Sequence, residues 1–268
     1  MNDIINSIIL GIVEGFTEFL PISSTGHLIL VNNFIGFEGK FAHMFDVVIQ
    51  LGAILAVVIY FWKRLVPFGY HKTAEEKAAT WTLWMKTLTG VIPALLIGGT
   101  IGKHIEEKLF DPYVVAVALI AGGLLLLWIE HSLRESKINT IAALSYKTAF
   151  LIGLIQCLAM IPGTSRSAAT IMGAILLGSS RIVAAEFSFF LAIPTMVAAT
   201  GYSLMKSGLN LSSREILLTG IGFVVSFIVA WAVIAAFMKF ISRNNFKPFG
   251  YYRIVLGVIV LAYFIFLH

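Results

Sequence analysis

The chain has 268 residues, 59% of them hydrophobic and 12% charged, with a formal net charge of +5. A soluble domain carries about 25% charged residues, so a water-soluble or disordered chain is excluded. The single cysteine, Cys157, excludes a disulfide scaffold and a structural zinc domain. No Lys/Arg run is long enough to track a phosphate backbone, which removes nucleic acid as a partner. A polytopic membrane protein remains.

The start, Met1-Asn2-Asp3, has no basic n-region and no small-residue cleavage site, and reads as uncleaved. The first apolar region, Ile4–Ile35, would run roughly 48 Å as one helix, against a hydrocarbon core of roughly 30 Å. It is broken by Pro21-Ile22-Ser23-Ser24-Thr25-Gly26. Each arm alone is about 21–24 Å, too short to cross comfortably. A re-entrant hairpin fits: two half-helices that enter and leave by one face, with a polar tip inside the protein. Three spans follow, Phe45–Trp62, Leu83–Ile101 and Val114–Ile129. A second hairpin is expected over Ala142–Gly178, broken by Pro162-Gly163-Thr164-Ser165-Arg166-Ser167, and three more spans over Ile182–Met205, Ile216–Met238 and Ile254–Leu267.

The expected fold is therefore an all-α polytopic membrane protein, one domain over 1–268 in two repeats, 1–141 and 142–268. Gly11-Ile12-Val13-Glu14 parallels Gly153-Leu154-Ile155-Gln156. Three crossings per half is odd, so the halves should be inverted and their tips should meet near the midplane. With the first hairpin's mouth on one face, thirteen of the nineteen basic residues, Lys86 and Arg253 among them, fall on the opposite face and five on its own. Arg166 alone stays in the membrane. The basic face is cytoplasmic by the positive-inside rule, so both termini and the first mouth point outward. Trp62, Trp81, Trp84 and Trp128 fit interfacial anchors. Gly98-Gly99 and Gly122-Gly123 fit close helix packing. Phe187, Phe189 and Phe190 fit lipid contact or core.

Ionisable residues inside a membrane are expensive and mark function. The first tip holds Glu14, Glu18 and His27, and the second Arg166. Glu14 and Glu18, spaced i, i+4, share one helix face. They are tolerable beside a cation or with one protonated. That points to a hard-cation site, Mg²⁺ or Ca²⁺, or to a carboxylate base; the alternative is a structural pair. Ser23, Ser24 and Thr25 open a half-helix whose N-terminus suits a phosphate. His27 could serve as general acid or nucleophile, and Ser24 as nucleophile given a base within reach; a structural His27 is the alternative. At the second tip Thr164, Ser165 and Ser167 surround Arg166, whose fork suits phosphate oxygens, with Thr170 one turn on. The alternative is an Arg166 ion pair with Glu14 or Glu18. Asp46, Gln50, Glu186 and Ser188 are weaker candidates for supporting groups. The set suits a phosphate ester bearing a lipid tail, since phosphoryl transfer is mainly positioning and charge neutralisation. A secondary transporter or flippase would instead use the carboxylates and His27 as a proton path.

The segment from Glu14 through Pro21-Ile22-Ser23-Ser24-Thr25-Gly26 to His27 resembles the first signature of the bacterial undecaprenyl-diphosphate phosphatases, the bacitracin-resistance membrane family. Pro162-Gly163-Thr164-Ser165-Arg166-Ser167-Ala168-Ala169-Thr170 resembles its second signature, and Phe45-Asp46-Val47-Val48-Ile49-Gln50-Leu51-Gly52 is also similar. Thr164 and Ala168 stand where that family often has Ser or Gly. The phosphatidic-acid-phosphatase type is a poor match, because Met172 stands where its motif needs His. The resemblance implies hydrolysis of undecaprenyl diphosphate to undecaprenyl phosphate and inorganic phosphate, recycling the cell-wall lipid carrier and conferring bacitracin resistance. It also implies a divalent cation, a polyprenyl diphosphate substrate drawn from among the lipids of a bacterial cell membrane, and the inverted-repeat fold. Glu18, His27, Ser24, Arg166, Ser165 and Thr170 would line the site, with Glu14 close by. The oligomeric state stays open, a homodimer included.

Overall fold

Apolar runs become helices here, because only internal hydrogen bonding satisfies a backbone in hydrocarbon. The structure, a computed structural model, describes residues 3–37, 39–68, 72–102, 105, 108–109, 111–132, 135–207 and 211–266. Met1, Asn2 and Leu267 lie outside the described residues. The first interrupted region forms α1 (Asp3–Thr17) and α2 (Ser24–Ile35). Next come α3 (Lys40–Tyr60), the single turn α4 (Trp62–Leu65), α5 (Ala74–Ile97) and α6 (Pro112–His131). The second interrupted region forms α7 (Tyr146–Gln156) and α8 (Arg166–Leu176), followed by α9 (Arg181–Ser207), α10 (Ser213–Ile241) and α11 (Lys247–Phe266). The described residues contain no strand, only one isolated bridge between Ile138 and Ser179. Among the described residues, six helices are long and apolar enough to cross a membrane: Phe41–Tyr60, Ala74–Gly102, Pro112–His131, Arg181–Met205, Ser213–Ile241 and Lys247–Phe266.

Polar termini lengthen several of these helices beyond their apolar runs. Thr73 and Glu76 form a reciprocal capping box, so α5 begins nine residues before Leu83. Ser212 and Glu215 do the same for α10. Asp111 caps α6, with Pro112 in its first turn. The last span starts at Lys247 rather than Ile254, with Pro248 in its first turn.

The order of two short helices and three long ones occurs twice, and the packing is exchanged between the halves. The first arm of each hairpin lies on the middle long helix of the other half, α1 on α10 and α7 on α5. The middle long helices in turn contact α3 and α9, while α3 meets α9 and α6 meets α11. Glycines mark the closest approaches. A Cβ on Gly15 would lie 2.5 Å from the Ser226 carbonyl oxygen, and one on Gly153 would overlap the Gly90 carbonyl. Gly11 and Gly153, the paired residues of the short internal match, both sit at such contacts. Phe187, Phe189 and Phe190 are fully buried core, and Phe189 packs edge-on against Phe19 of the first break.

Four residues depart from expectation. Arg253 is not a loop charge: it sits in α11, fully buried. Lys86 is also inside, 4% exposed, and its ammonium donates to the carbonyls of Ile141 (3.1 Å) and Ala142 (2.8 Å) at the base of the second hairpin. Trp84 is half-buried and donates to Leu65 O at 2.7 Å, whereas Trp62, Trp81 and Trp128 are exposed as anchors should be. Gly99 meets nothing within 4 Å and lies in a π-helical turn, while Gly122 and Gly123 are packing glycines as expected. The buried Glu130 carboxylate binds the Arg181 guanidinium and the Phe246 N–H, tying α6, α9 and the entry to α11 together.

Gly153→Ala should be strongly destabilising, because the new methyl meets backbone rather than a movable side chain. Overpacking typically costs about 1–3 kcal/mol. Thermal unfolding in detergent should show a clear drop in midpoint for Gly153→Ala and almost none for Gly201→Ala, where no atom lies within 4 Å.

Candidate active site

Both tips are helix N-termini, each opened by a serine in an unusual backbone conformation. Ser23 (φ 72°) accepts from the Gly26 N–H at 3.4 Å, and Ser165 (φ 71°) accepts from the Ala168 N–H at 3.2 Å. These are the two non-glycine residues with positive φ among the described residues. Each such conformation costs on the order of 1–3 kcal/mol and tends to cluster at functional sites. Gly163 (φ 89°) makes the tight approach to the second tip, where a Cβ would lie 2.5 Å from Val115 O.

The two tips meet on Glu18. Arg166 Nη2 donates to Glu18 Oε1 at 3.1 Å, and Ser24 Oγ donates to Glu18 Oε2 at 2.5 Å. Ser167 Oγ crosses the other way, to Leu20 O at 2.8 Å. Arg166 Nη1 donates to Ser188 O at 3.0 Å, and its guanidinium lies 5.5 Å from the centroid of the Phe19 ring. With two donors aimed at it, Glu18 accepts at both carboxylate oxygens. A hydroxyl on a carboxylate that a third group orients is the arrangement of an activated nucleophile.

The remaining candidates divide by depth. Thr25, His27, Thr164, Ser165 and Arg166 are partly open, while Ser23, Ser24 and Glu18 are buried. Ser167 and Thr170 are fully buried with their hydroxyls on protein partners, Thr170 Oγ1 being 2.6 Å from Ser188 Oγ. They brace the second tip against the first break and α9. Glu14 is fully buried at the foot of the site, and neither of its carboxylate oxygens has a partner among the described residues. Those residues contain no group of three or more His, Cys, Asp or Glu that could hold a metal by itself. Two carboxylates one turn apart, one of them unpartnered, nevertheless fit a Mg²⁺-like ion. Such an ion uses one or two carboxylates and takes its other ligands from water and substrate phosphate. Asp46 accepts from Asn32 Nδ2 at 2.9 Å, joining α3 to α2. Glu186 pairs instead with Arg64 at 2.5 Å, apart from the Arg166 contacts.

His27 does not bond Ser24 or Glu18. Its Nδ1 lies 2.7 Å from Ser23 O, which only accepts, so Nδ1 carries the proton in the neutral ring. Nε2 then accepts from the Tyr252 hydroxyl at 2.7 Å. Tyr252 and Arg253 were not legible as site residues, because nothing along the chain connects residue 27 to residue 252. The available signal was Pro248: proline at the second helical position would have started the last helix early and drawn Arg253 into the membrane.

Set beside known proteins, residues 7–259 match the model of the family described as bacitracin resistance protein BacA. The chain is similar to undecaprenyl-diphosphatase 1 of Clostridioides difficile (strain 630), 50% identical over 264 residues, covering 98% of this chain and 96% of that one. It is equally similar to the undecaprenyl-diphosphatase of Limosilactobacillus fermentum, 50% identical over 272 residues and covering 98% of each chain. The undecaprenyl-diphosphatase of Lactiplantibacillus plantarum is 48% identical over 275 residues, covering 100% of both.

The strained serines give a test of the tip geometry. Ser165→Ala loses the cap and keeps the strain, and should cost about 1–2 kcal/mol. Ser165→Gly loses the cap but relieves the strain, so its unfolding midpoint should lie measurably above that of the alanine variant.

Proposed function

The chain belongs to the BacA family of bacitracin resistance proteins, and on that footing we propose that it hydrolyses undecaprenyl diphosphate to undecaprenyl phosphate and inorganic phosphate. Recycling this carrier lipid leaves less diphosphate lipid as a target for bacitracin. The observation that carries the chemistry is the Ser24–Glu18–Arg166 chain across the two tips. Arg166 and the N–H groups at the start of α8 receive the diphosphate, with Thr164, Ser165 and Thr25 at the partly open rim. Ser24 Oγ attacks the terminal phosphorus and passes its proton to Glu18. The bond from that phosphorus to the bridging oxygen breaks, and undecaprenyl phosphate leaves. Glu18 gives that proton to the leaving oxygen of undecaprenyl phosphate; water then attacks the phosphoserine, its proton passes through the regenerated carboxylate to Ser24 Oγ, and inorganic phosphate leaves. His27, held by Ser23 and Tyr252, stands beside this path as the second group able to carry a proton.

Glu14 and Glu18 are the residues that would hold a divalent cation, which when bound neutralises phosphate charge. The unpartnered Glu14 carboxylate supports this assignment. The setting is a bacterial membrane, with the mouth of the first hairpin on the outer face. Thirteen basic residues less the buried Lys86 and Arg253 leave eleven on the opposite face against five, which still supports that orientation. The exchanged packing of α1 on α10 and α7 on α5 supports an inverted repeat.

Purified protein should release inorganic phosphate from a C15 or C55 isoprenyl diphosphate with Mg²⁺, and lose that activity in EDTA. Arg166→Ala should lower kcat by about 10²–10³-fold, the usual effect of deleting a charge-stabilising donor. Ser24→Ala and Glu18→Gln should fall at least as far, because each removes one end of the nucleophile–base pair. Folded protein that binds the lipid and releases no phosphate would make the chain a carrier instead.

A further inference from the structure

Arg253 is the largest of the fully buried side chains among the described residues, and no ion pair among them includes it. Its partners are three carbonyl oxygens. Nη1 donates to Pro21 O at 3.3 Å, and Nη2 donates to Gly163 O and Ala118 O, each at 3.2 Å. Pro21 lies in the first break and Gly163 in the second, so one guanidinium bonds both broken tips and α6 as well. Gly122 on α6 provides the room: a Cβ there would overlap Nη2 and lie 3.0 Å from Cζ. The neighbouring Tyr252 holds His27 of the first tip. Three neutral carbonyls could be satisfied by neutral donors, whereas burying an unpaired cation is costly. In low dielectric that charge acts over distance on any anion between the tips.

We propose that Arg253 is a positioning residue for phosphoryl transfer, fixing the two tips at the separation where Ser24 and Arg166 meet on Glu18, and that its unpaired charge strengthens diphosphate binding. The proposal rests on the phosphatase reading for its kinetic part. Its binding part can be tested without turnover.

The test uses the full-length protein in detergent. Phosphate release from farnesyl diphosphate, calorimetric binding of inorganic diphosphate and thermal unfolding are measured for wild type, Arg253→Lys, Arg253→Gln and Gly122→Ala. Lysine keeps the charge and should stay within about 5-fold of wild type in diphosphate Kd, whereas glutamine keeps donors without charge and should weaken it about 10-fold or more. Gly122→Ala displaces the guanidinium without removing its charge. It should lower kcat about 10-fold or more through misplaced tips while changing diphosphate Kd far less. Glutamine matching lysine in Kd overturns the charge role. Wild-type kcat in Gly122→Ala overturns the positioning role. Altered unfolding midpoints with unchanged kcat and Kd would make Arg253 merely structural and overturn both. If wild type binds diphosphate in an Arg253-dependent way and releases no phosphate, the phosphatase reading falls and the charge role stands. If wild type neither binds nor releases, both fall.

Discussion

An arginine and a glutamate that are 148 residues apart in the chain meet inside a region where neither can be left alone. Charge at this depth is expensive, and removing one partner of a buried pair leaves the other uncompensated. The Arg166–Glu18 contact therefore holds two interrupted hairpins tip to tip. Ser167 adds a second crossing bond onto the first break. The six long helices then have to surround a polar core that hydrocarbon would reject.

Two further buried cations solve a related problem. Helices that stop inside a membrane leave carbonyls without partners, and no bulk water is there to bond them. Lys86 takes the carbonyls of Ile141 and Ala142 at the base of the second hairpin. Arg253 takes those of Pro21 and Gly163 at the tips. At the breaks the cost of interrupting a helix in a membrane is thus met in part by Arg253 reaching across from α11.

The two halves share a backbone plan and differ in chemistry. Ser23 and Ser165 have nearly the same φ and cap their helices in the same way. At matching places in the first arms, however, stand Glu14 and Gln156. Gln156 reaches Thr195 at 3.3 Å, while neither Glu14 oxygen meets a hydrogen-bond donor among the described residues. The acids come from one half and the tip arginine from the other. Two identical halves could not provide that division.

Much of this could be read from the sequence. Unbroken apolar runs of membrane-spanning length have little alternative to helix, and a Pro-Ser/Thr-Gly break flanked by arms too short to cross has few places to go. The ionisable residues Glu14, Glu18, His27 and Arg166 stood out in apolar runs because hydrocarbon tolerates so few. What the sequence could not supply was pairing at a distance. The bond from Tyr252 to His27, the reach of Arg253 to both breaks and the turning of Ser167 and Thr170 onto protein partners all depend on which helices pack together. Helix formation and membrane insertion are set by neighbours a few residues apart, and so are written locally. Which carbonyl a guanidinium finds, and which hydroxyl is left for substrate, is decided only when helices from opposite ends of the chain come into contact.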